Sequence, residues 1–257
     1  MSVEIHDFED FSGIMYDSSE DYELMADLTS ATHDYSTYAS ATDWLSFDIY
    51  GTFDGNFHSI EDIGSDKSSE GGQTLTGVFA SITGTVENLV IRNCSFFGND
   101  DGICGALAAR IYLAGNVSYV GVENCQASAG AEVGGLIGEL EGDIDNCYVK
   151  STGTYVARLS RSSAIDSYAC VGGLVGVHFI GTITNSYCAG DVWVGDGMAP
   201  IITIDVGAWL SAGGLCGDSY NLTNCFYVGT CEFEGVDHSG TGDTYFGGVA
   251  GHTNHYV

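Results

Sequence analysis

The apolar residues of this chain fall in short runs separated by glycine- and asparagine-rich segments. One unit, Gly172–Gly176, reads Gly-Gly-Leu-Val-Gly and is followed by Gly181–Tyr187, which contains Ile-Thr-Asn-Ser-Tyr. Apolar runs of three to five residues are too short for amphipathic helices, which need about ten residues or more. The pattern therefore predicts short β-strands joined by tight turns.

The same unit recurs along the chain. Clear copies begin at Gly134, Gly172, Gly213 and Gly247, in steps of 38, 41 and 34 residues. We expect degenerate earlier copies at residues 76–80 and 102–105. A repeat of about 20–50 residues is typical of solenoids, propellers or arrays.

Both a propeller and a β-helix fit an all-β chain with this repeat. Propeller blades carry four strands in about 40–45 residues, which is close to the length of this unit. A β-helix explains more, because glycine pairs suit corners at which a Cβ atom would clash. The sequence therefore predicts a parallel β-helix, with residues 1–74 as an N-terminal cap and first rungs. Residues 75–257 would form the repeats, the last of them incomplete, and we expect something to cover the final rung.

Two sets of residues are predicted to shape this coil. The first is a set of corner glycines: Gly134, Gly135, Gly172, Gly173, Gly213, Gly214, Gly247 and Gly248. The second is a set of asparagines predicted to stack as one hydrogen-bonded ladder, since like side chains repeat at about 4.8 Å along such an axis. Its members are Asn93, Asn124, Asn146, Asn185 and Asn224.

The N-terminal region reads differently from the repeats. Residues 3–12 place Ile5, Phe8 and Phe11 on one side of a predicted short helix, with acidic residues opposite. Such a helix would cover the unpaired edge of the first rung. Tyr22–Leu28 alternates apolar and polar residues, as a half-buried strand does.

The unit resembles the GLUG-motif repeat family. The resemblance rests on Gly-Gly-Leu-Val-Gly with its trailing Ile-x-Asn-(Ser/Cys)-Tyr, on Ile49–Ile60 and on Tyr22–Leu28, and it extends over roughly residues 3–257. It implies a right-handed β-helix of the kind found in surface adhesins and other extracellular proteins. It implies no catalytic residues. This chain departs from the family pattern at Phe57, where a glycine is usual, and in an insertion at Met198–Leu210.

The composition is strongly acidic. Lys and Arg number 6 against 35 Asp and Glu, which gives a formal net charge of −29. Disorder is excluded because 44% of the residues are hydrophobic and 12% are aromatic. The charge opposes binding to nucleic acid and to anionic membranes. It suits life in high salt, where screening reaches about 3 Å at 1 M. A mesophile's acidic surface or a cation-binding surface is the alternative.

Nine cysteines occur, and four of them follow an asparagine: Cys94, Cys125, Cys147 and Cys225. Cysteines at one recurring position would act as small buried apolar fillers. We therefore predict mostly free, buried thiols, and no cluster has zinc spacing. The N-terminus lacks the features of a secretory signal, and no apolar run could span a membrane. An extracellular or virion-surface location would then require an unusual export route or release by lysis.

Candidate chemistry is sparse. Asn99, Asp100 and Asp101 could hold Ca²⁺ or another structural cation through oxygen ligands. No organic cofactor is predicted. A hydrolase needs two carboxylates across one groove, and a lyase needs basic partners that this chain scarcely has. We predict no catalytic residues.

Four segments are predicted to form surface loops, namely residues 29–43, 106–119, 150–169 and 196–211. Insertions of this kind often carry binding in solenoids. Exposed aromatic side chains in two of these loops could stack on sugars or on a partner protein. The candidate binding residues are Tyr35, Tyr38, Met198 and Trp209.

Three functions remain open from the sequence. The favoured one is a non-enzymatic structural and adhesive protein, a virion tail fibre or spike that attaches to a halophilic archaeal host. The second is a cellular surface adhesin or S-layer-associated protein, and the third is a polysaccharide-degrading enzyme. For the first two we expect a cell-surface glycan or glycoprotein receptor as partner, together with other structural subunits and a homo-oligomer.

Overall fold

The structure is a computed structural model. It describes residues 2–160, 165, 168–195, 202–203, 208–233, 236–237 and 243–253. The helical elements are α1 (Phe8–Gly13), a 3-10 turn (Ile14–Tyr16) and α2 (Tyr35–Tyr38). All other regular structure in the described residues is β-strand.

The strands of the N-terminal half are short, as the apolar runs predict. They are β1 (Val3–Ile5), β2 (Tyr22–Leu24), β3 (Phe47–Ile49), β4 (Thr52–Asp54), β5 (Ser59–Glu61), β6 (Gly64–Asp66), β7 (Leu75–Thr76), β8 (Phe79–Ile82), β9 (Thr85–Arg92), β10 (Ser95–Phe97), β11 (Ile103–Gly105), β12 (Ala108–Ile111), β13 (Asn116–Glu123), β14 (Gln126–Ala129) and β15 (Glu132–Gly134).

The strands of the C-terminal half follow the same order with longer connections. They are β16 (Ile137–Leu140), β17 (Asp143–Asp145), β18 (Tyr148–Leu159), β19 (Tyr168–Gly172), β20 (Val175–His178), β21 (Ile183–Thr184), β22 (Tyr187–Val194), β23 (Ile202–Thr203), β24 (Trp209–Gly213), β25 (Cys216–Ser219), β26 (Leu222–Thr223), β27 (Phe226–Val228), β28 (Cys231–Phe233), β29 (Val236–Asp237), β30 (Asp243–Gly247) and β31 (Ala250–Thr253).

Three parallel sheets run the length of the molecule. Sheet B has the order β3-β8-β12-β16-β20-β25-β31, and sheet C has the order β30-β24-β19-β15-β11-β7. Sheet A holds 16 strands. In each repeat the chain passes through sheet C, then sheet B, then three successive segments of sheet A, which we number A1, A2 and A3. Within one repeat β9 forms A1 and A2, and β10 forms A3.

Equivalent residues of successive repeats lie opposite each other. In sheet C, Gly134 pairs with Gly172, Gly172 with Gly213, and Gly213 with Gly247. The repeat seen in the sequence is thus the repeat of the strand ladder. Each of these strands is hydrogen-bonded to the equivalent strand of the next repeat.

A single hydrophobic core extends from Ile5 to Cys216 and crosses residue 74 without a break. Inward side chains alternate with outward ones, as in β22, where Cys188, Val192 and Val194 are buried. The division between residues 1–74 and 75–257 is therefore one of sequence pattern, since the packing is continuous across it.

The N-terminal helix is shorter than predicted. Val3–Ile5 forms β1, which pairs with Tyr22–Leu24, and the helix begins only at Phe8. The prediction of a helix from residue 3 was wrong because this segment has a strand partner that local periodicity does not reveal. Ile5, Phe8 and Phe11 are nevertheless all buried, as expected. The Phe11 ring stacks on Trp44 with 5.2 Å between centroids.

The corner glycines owe their identity to close packing. A Cβ atom on Gly134 would lie 1.8 Å from the carbonyl oxygen of Ile137, and one on Gly172 would lie 2.1 Å from that of Val175. Neither residue has a positive φ. The left-handed conformation falls instead on the asparagines, whose φ values lie between 51° and 55° at all five predicted ladder positions.

These five asparagines do not form one ladder, and that prediction was wrong. Asn93 and Asn124 follow the paired residues Arg92 and Glu123, at the corner between A2 and A3. The other three, Asn146, Asn185 and Asn224, occupy the corner between A1 and A2.

Side-chain hydrogen bonds at the second of these corners join adjacent repeats, but they do not continue as one asparagine ladder. Asn224 Nδ2 donates to Asn185 Oδ1 at 3.2 Å, whereas Asn185 Nδ2 donates to Asp145 Oδ1 at 2.8 Å. The same dipeptide, Asn-Cys, serves both corners because both need a left-handed residue followed by an inward one. For this reason the sequence alone did not separate them.

The degenerate second copy begins later than predicted. Gly105 pairs with Gly134, so Gly105–Ala109 is the counterpart of Gly134–Gly138, with alanines at two glycine positions. Residues 106–119 are consequently not a loop insertion, since they contain β12 and the start of β13. Residues 150–159 likewise belong to β18, and α2 lies within residues 29–43.

All nine cysteines are free and seven of them are buried, which confirms the prediction. They lie in more than one row. Cys94 N–H donates to the sulfur of Cys125 at 3.3 Å, while the equivalent bond from Cys147 goes to the hydroxyl of Ser186 at 3.0 Å.

Candidate ligand cleft

One outward-facing row on segment A3 combines side chains of very different chemistry. Asp66 pairs with Phe97, Phe97 with Ser128, Ser128 with Arg158, and Arg158 with Trp193. Adjacent members of such a row are about 4.8 Å apart. The small side chain of Ser128 leaves a gap between its larger neighbours.

A loop at residues 98–102 forms one wall over this gap and is firmly held. Asn99 Nδ2 donates to the carbonyl oxygen of Glu70 at 2.8 Å and to that of Gly72. Asn99 Oδ1 accepts from the hydroxyl of Thr74 at 3.1 Å. The loop seats against Gly130, where a Cβ atom would lie 2.3 Å from the carbonyl oxygen of Asp100.

The result is a cleft of about 400 Å³. Ser128 lies at its floor, Phe97 and Tyr155 are its aromatic residues, and Asp66 and Asp100 bring carboxylates. The volume lies at the lower end of the range of small-molecule sites. A wider depression of about 520 Å³ lies beside Lys150 and Asp191, but no aromatic side chain lines it.

The single guanidinium of the cleft is positioned by aromatic rings. The Cζ of Arg158 lies 5.6 Å from the ring centroid of Tyr155 and 5.7 Å from that of Trp193. These two rings meet edge to face at 6.2 Å. Arg158 Nε donates to the carbonyl oxygen of Gly195 at 2.7 Å. Cation–π contacts and this hydrogen bond hold the side chain in place.

Asp66 supplies a hydrogen-bond acceptor that stays ionised. Its Oδ1 accepts from the hydroxyl and the backbone N–H of Ser68, at 2.6 and 3.1 Å. These bonds hold the pKa of Asp66 below its ordinary value. Such a carboxylate is a poor general acid near neutral pH. The cleft therefore suits binding of a polar ligand with an apolar face better than acid–base chemistry.

The residues that the sequence singled out are scattered over the fold. Asn99 and Asp100 line the cleft, but the carboxamide of Asn99 is engaged in holding the loop. The cation site at Asn99, Asp100 and Asp101 stays a prediction.

No helix in the described part of the chain is long and apolar enough to cross a membrane.

The aromatic binding candidates do not come together. The hydroxyl of Tyr35 donates to the carbonyl oxygen of Asp62, and its ring packs edge-on against Phe8, so this side chain supports the cap. Tyr38 is more exposed. Trp209 lies in β24 of sheet C, where its ring centroid is 6.2 Å from that of Tyr245. Met198 lies outside the described residues.

Metal-capable side chains gather at one place that the sequence did not suggest. Within the described ranges, Asp7, His33 and Asp34 form the one group of three whose ligand atoms lie within 4.8 Å of one another. Asp34 already accepts the backbone N–H groups of Phe8 and Glu9 at the start of α1, at 3.3 and 2.7 Å. This cluster therefore has a structural role in capping a helix.

The cleft residues Tyr155 and Arg158, and Trp193 packed against them, were missed for a physical reason. The alternation in Tyr187–Val194 does mark Trp193 as outward-facing. Tyr155 and Arg158, however, lie beyond a register shift in β18, where strict alternation fails. Only the pairing between strands brings them beside Ser128.

Comparisons with known proteins give one relative and two solved structures. Halomucin of Haloquadratum walsbyi is 30% identical over 133 residues, which is 48% of this chain and 1% of halomucin. A proposed immunoglobulin A1 protease from Bacteroides ovatus aligns with a TM-score of 0.57 and 19% identity, over 97% of this chain and 84% of that one. Another IgA1 protease aligns with a TM-score of 0.40 and 13% identity, over 98% of this chain and 20% of that one. No protein-family model matches.

The chain spans only a very small part of halomucin, so the match concerns a segment of that protein. At 19% identity, the likeness to the Bacteroides ovatus protein shows a shared fold and nothing about activity.

Proposed function

We propose that this chain is a structural and adhesive module of an extracellular surface protein from a high-salt organism. In this proposal the three sheets wind as a right-handed parallel β-helix of GLUG type. The observation that carries it is an unbroken parallel ladder around one core, in a chain with 35 acidic and only 6 basic residues. Such a body is rigid and elongated, and its acidic surface is suited to salt.

The halomucin match supports the cellular form of this hypothesis over the virion form. Its name is that of a mucin, a class of extracellular protein, and its source is a halophile. The GLUG resemblance points in the same direction. A virion tail fibre or spike stays a prediction without a supporting comparison. A glycan or glycoprotein receptor and self-association are the partners that we propose.

We propose no enzymatic activity, although the structural neighbours carry the word protease in their names. Burial raises the pKa of Cys104 and Cys147 to about 12, so these thiols are poor nucleophiles. The charged groups of the cleft are arranged for hydrogen bonding. Incubation with polysaccharides and with immunoglobulin A that yields new chain ends would contradict this part of the proposal.

Salt dependence tests the environment. Self-repulsion of a net charge of −29 destabilises the folded state at low ionic strength. We expect the melting temperature to rise steadily from 0.1 M to about 3 M NaCl, because screening shortens from about 10 Å to below 3 Å. A melting temperature that is independent of salt would contradict the high-salt assignment.

Location tests the role. Surface proteolysis and antibody labelling of intact cells that express the native gene should detect the protein outside the cell. Purified virus particles from the same culture provide the comparison. Recovery with particles instead of cells would favour the virion form, and recovery only from the cell interior would overturn the proposed surface role.

A further inference from the structure

We propose that the cleft around Ser128 binds a neutral hexose unit of a glycan. The sugar ring would lie across Ser128, between the aromatic side chains of Phe97 and Tyr155. This inference rests on the adhesive role proposed above and names the ligand class of the cleft.

The dimensions of the cleft come from the register of segment A3. Phe97 and Arg158 flank Ser128 on either side, so their Cα atoms are about 9.6 Å apart, twice the strand spacing. The gap between them is open because serine is small. Tyr155 and Phe97 are only half-buried, so part of each side chain faces the cleft. Aromatic rings of this kind pack well on the apolar face of a sugar.

Polar groups surround the gap with both donors and acceptors. Asp66 and Asp100 bring carboxylate oxygens, Ser128 and Ser160 bring hydroxyls, and Arg158 brings N–H donors. Sugar hydroxyls donate and accept, so a polyhydroxylated ring can satisfy this mixed set. A purely apolar ligand would displace water from these polar groups without replacing its hydrogen bonds, which is costly.

Charge selects a neutral saccharide. At contact distance, where salt screens least, the two carboxylates of the cleft outweigh its one guanidinium and repel uronate and sulfate groups. Stacking and short hydrogen bonds also persist in concentrated salt, whereas interactions between solvent-exposed charges are screened.

The cleft offers little to an extended peptide. Peptides often bind by adding a strand to a free sheet edge. Here β6, β10, β14 and β18 are paired with one another along the cleft floor, so the backbone hydrogen-bonding groups there are already engaged.

The experiment measures binding of methyl hexosides to the folded full chain at 2 M NaCl. Methyl glucosides, galactosides and mannosides of both anomers serve as probes, with methyl glucuronide and glucose 6-sulfate as charged comparisons. Saturation-transfer NMR detects binding, and titration followed by tryptophan fluorescence gives the affinity, because Trp193 adjoins Tyr155.

Three variants locate the site. Ser128→Leu fills the floor and should abolish binding. Tyr155→Ala removes one ring and should weaken binding by between about twofold and tenfold, the effect of one aromatic contact. Tyr187→Ala is the matched control, because Tyr187 is also an outward aromatic residue of sheet A but stacks on Phe226 away from the cleft. Its affinity should equal that of the unmodified chain.

Several results would overturn the proposal: no neutral hexoside binds, only the charged sugars bind, or the affinity in both cleft variants equals that of the unmodified chain. If Ser128→Leu lowers the melting temperature, Tyr155→Ala decides the matter by itself. Different results would overturn the surface role and the assignment of the cleft. A surface-located protein that binds no sugar overturns the cleft assignment alone, and a sugar-binding protein found only inside cells overturns the surface role alone.

Discussion

Arg92 Nε donates to Glu123 Oε2 at 2.9 Å across two adjacent parallel strands. Glu123 also accepts from Lys150 Nζ at 2.8 Å and from the hydroxyl of Tyr148 at 2.6 Å. Arg92 in turn pairs with Glu61 at 3.1 Å. Opposite charges thus alternate along one outward row of segment A2. A chain with six basic residues places two of them here, where each neutralises neighbouring acidic side chains.

We expect Glu123→Gln to lower stability in a pH-dependent way. Burial alone would raise the pKa of Glu123, but hydrogen bonds from Lys150, Tyr148 and Arg92 lower it to about 2. The carboxylate therefore contributes stability above its unfolded pKa of about 4.5, and this contribution is lost as the pH falls toward 2. We expect a loss of roughly 1–3 kcal/mol at pH 7 for the variant, allowing for solvent screening.

Urea unfolding at pH 7 and pH 3 measures this effect. Glu87→Gln, on the same sheet, is the control for simple removal of a negative charge. Equal losses in the two variants at pH 7 would argue against a specific contribution from the charge row.

Glu132→Gln should have the opposite effect. Glu132 is 3% exposed, and its Oε2 has no hydrogen-bond partner in the described part of the structure. Burial raises its pKa to about 7, although a hydrogen bond with Tyr168 opposes the rise. The folded state then holds a proton that the unfolded state has released between about pH 4.5 and 7. Stability contributed by this group therefore falls as the pH rises through that window.

The variant should remove this slope and be more stable than the unmodified chain above pH 7, by up to about 3 kcal/mol. Unfolding free energies at pH 5, 6, 7 and 8 test it. Glu139→Gln is the contrast, because Glu139 accepts from Arg110 Nε at 2.5 Å and its loss should destabilise the protein. An unchanged pH slope in Glu132→Gln would show that another group titrates.

Gly172→Ala should be strongly destabilising. Its new Cβ atom would lie 2.1 Å from the carbonyl oxygen of Val175 and 2.7 Å from the Cα of Cys216, both of them backbone atoms that cannot rotate away. We expect a loss of at least about 2 kcal/mol, as for overpacked cores. Gly248→Ala is the matched control, since nothing described lies within 4 Å of its Cβ position, and it should change stability by no more than about 0.5 kcal/mol. Similar melting temperatures for both variants would refute the close-packing explanation.

Asn124 tests the left-handed corner. Its φ is 54°, so Asn124→Ala should cost about 1 kcal/mol, whereas Asn124→Gly should be nearly neutral. Chemical denaturation of both variants separates backbone conformation from side-chain bonding. If glycine costs as much as alanine, the side chain of Asn124 matters more than its φ. Gln126→Ala, on the strand that follows this corner, controls for loss of a polar side chain.

The β-strand content and the repeat could be predicted from the sequence. The sequence did not show which residues of successive repeats pair with each other. Alternation and the spacing of Gly134, Gly172, Gly213 and Gly247 indicated parallel copies of one unit, and the structure pairs these residues. The second copy was predicted to begin at residue 102 and in fact begins at Gly105, because alanines occupy two of its glycine positions. Helix α1 was predicted to begin too early, because Val3–Ile5 forms a strand whose partner lies elsewhere in the chain.

The sequence by itself determined the local conformations: short strands, tight glycine corners, buried free thiols and an acidic exterior. These follow from residue type and nearest neighbours. The tertiary structure decided which residues meet across rungs, including the separation of the asparagines into two corners and the assembly of Asp66, Ser128 and Arg158 into one cleft. Paired residues of adjacent strands lie at very different separations in the sequence, from 19 residues between Val3 and Tyr22 to 41 between Gly172 and Gly213. Residues that touch therefore have no constant spacing in the sequence, and only hydrogen-bonded register brings them together.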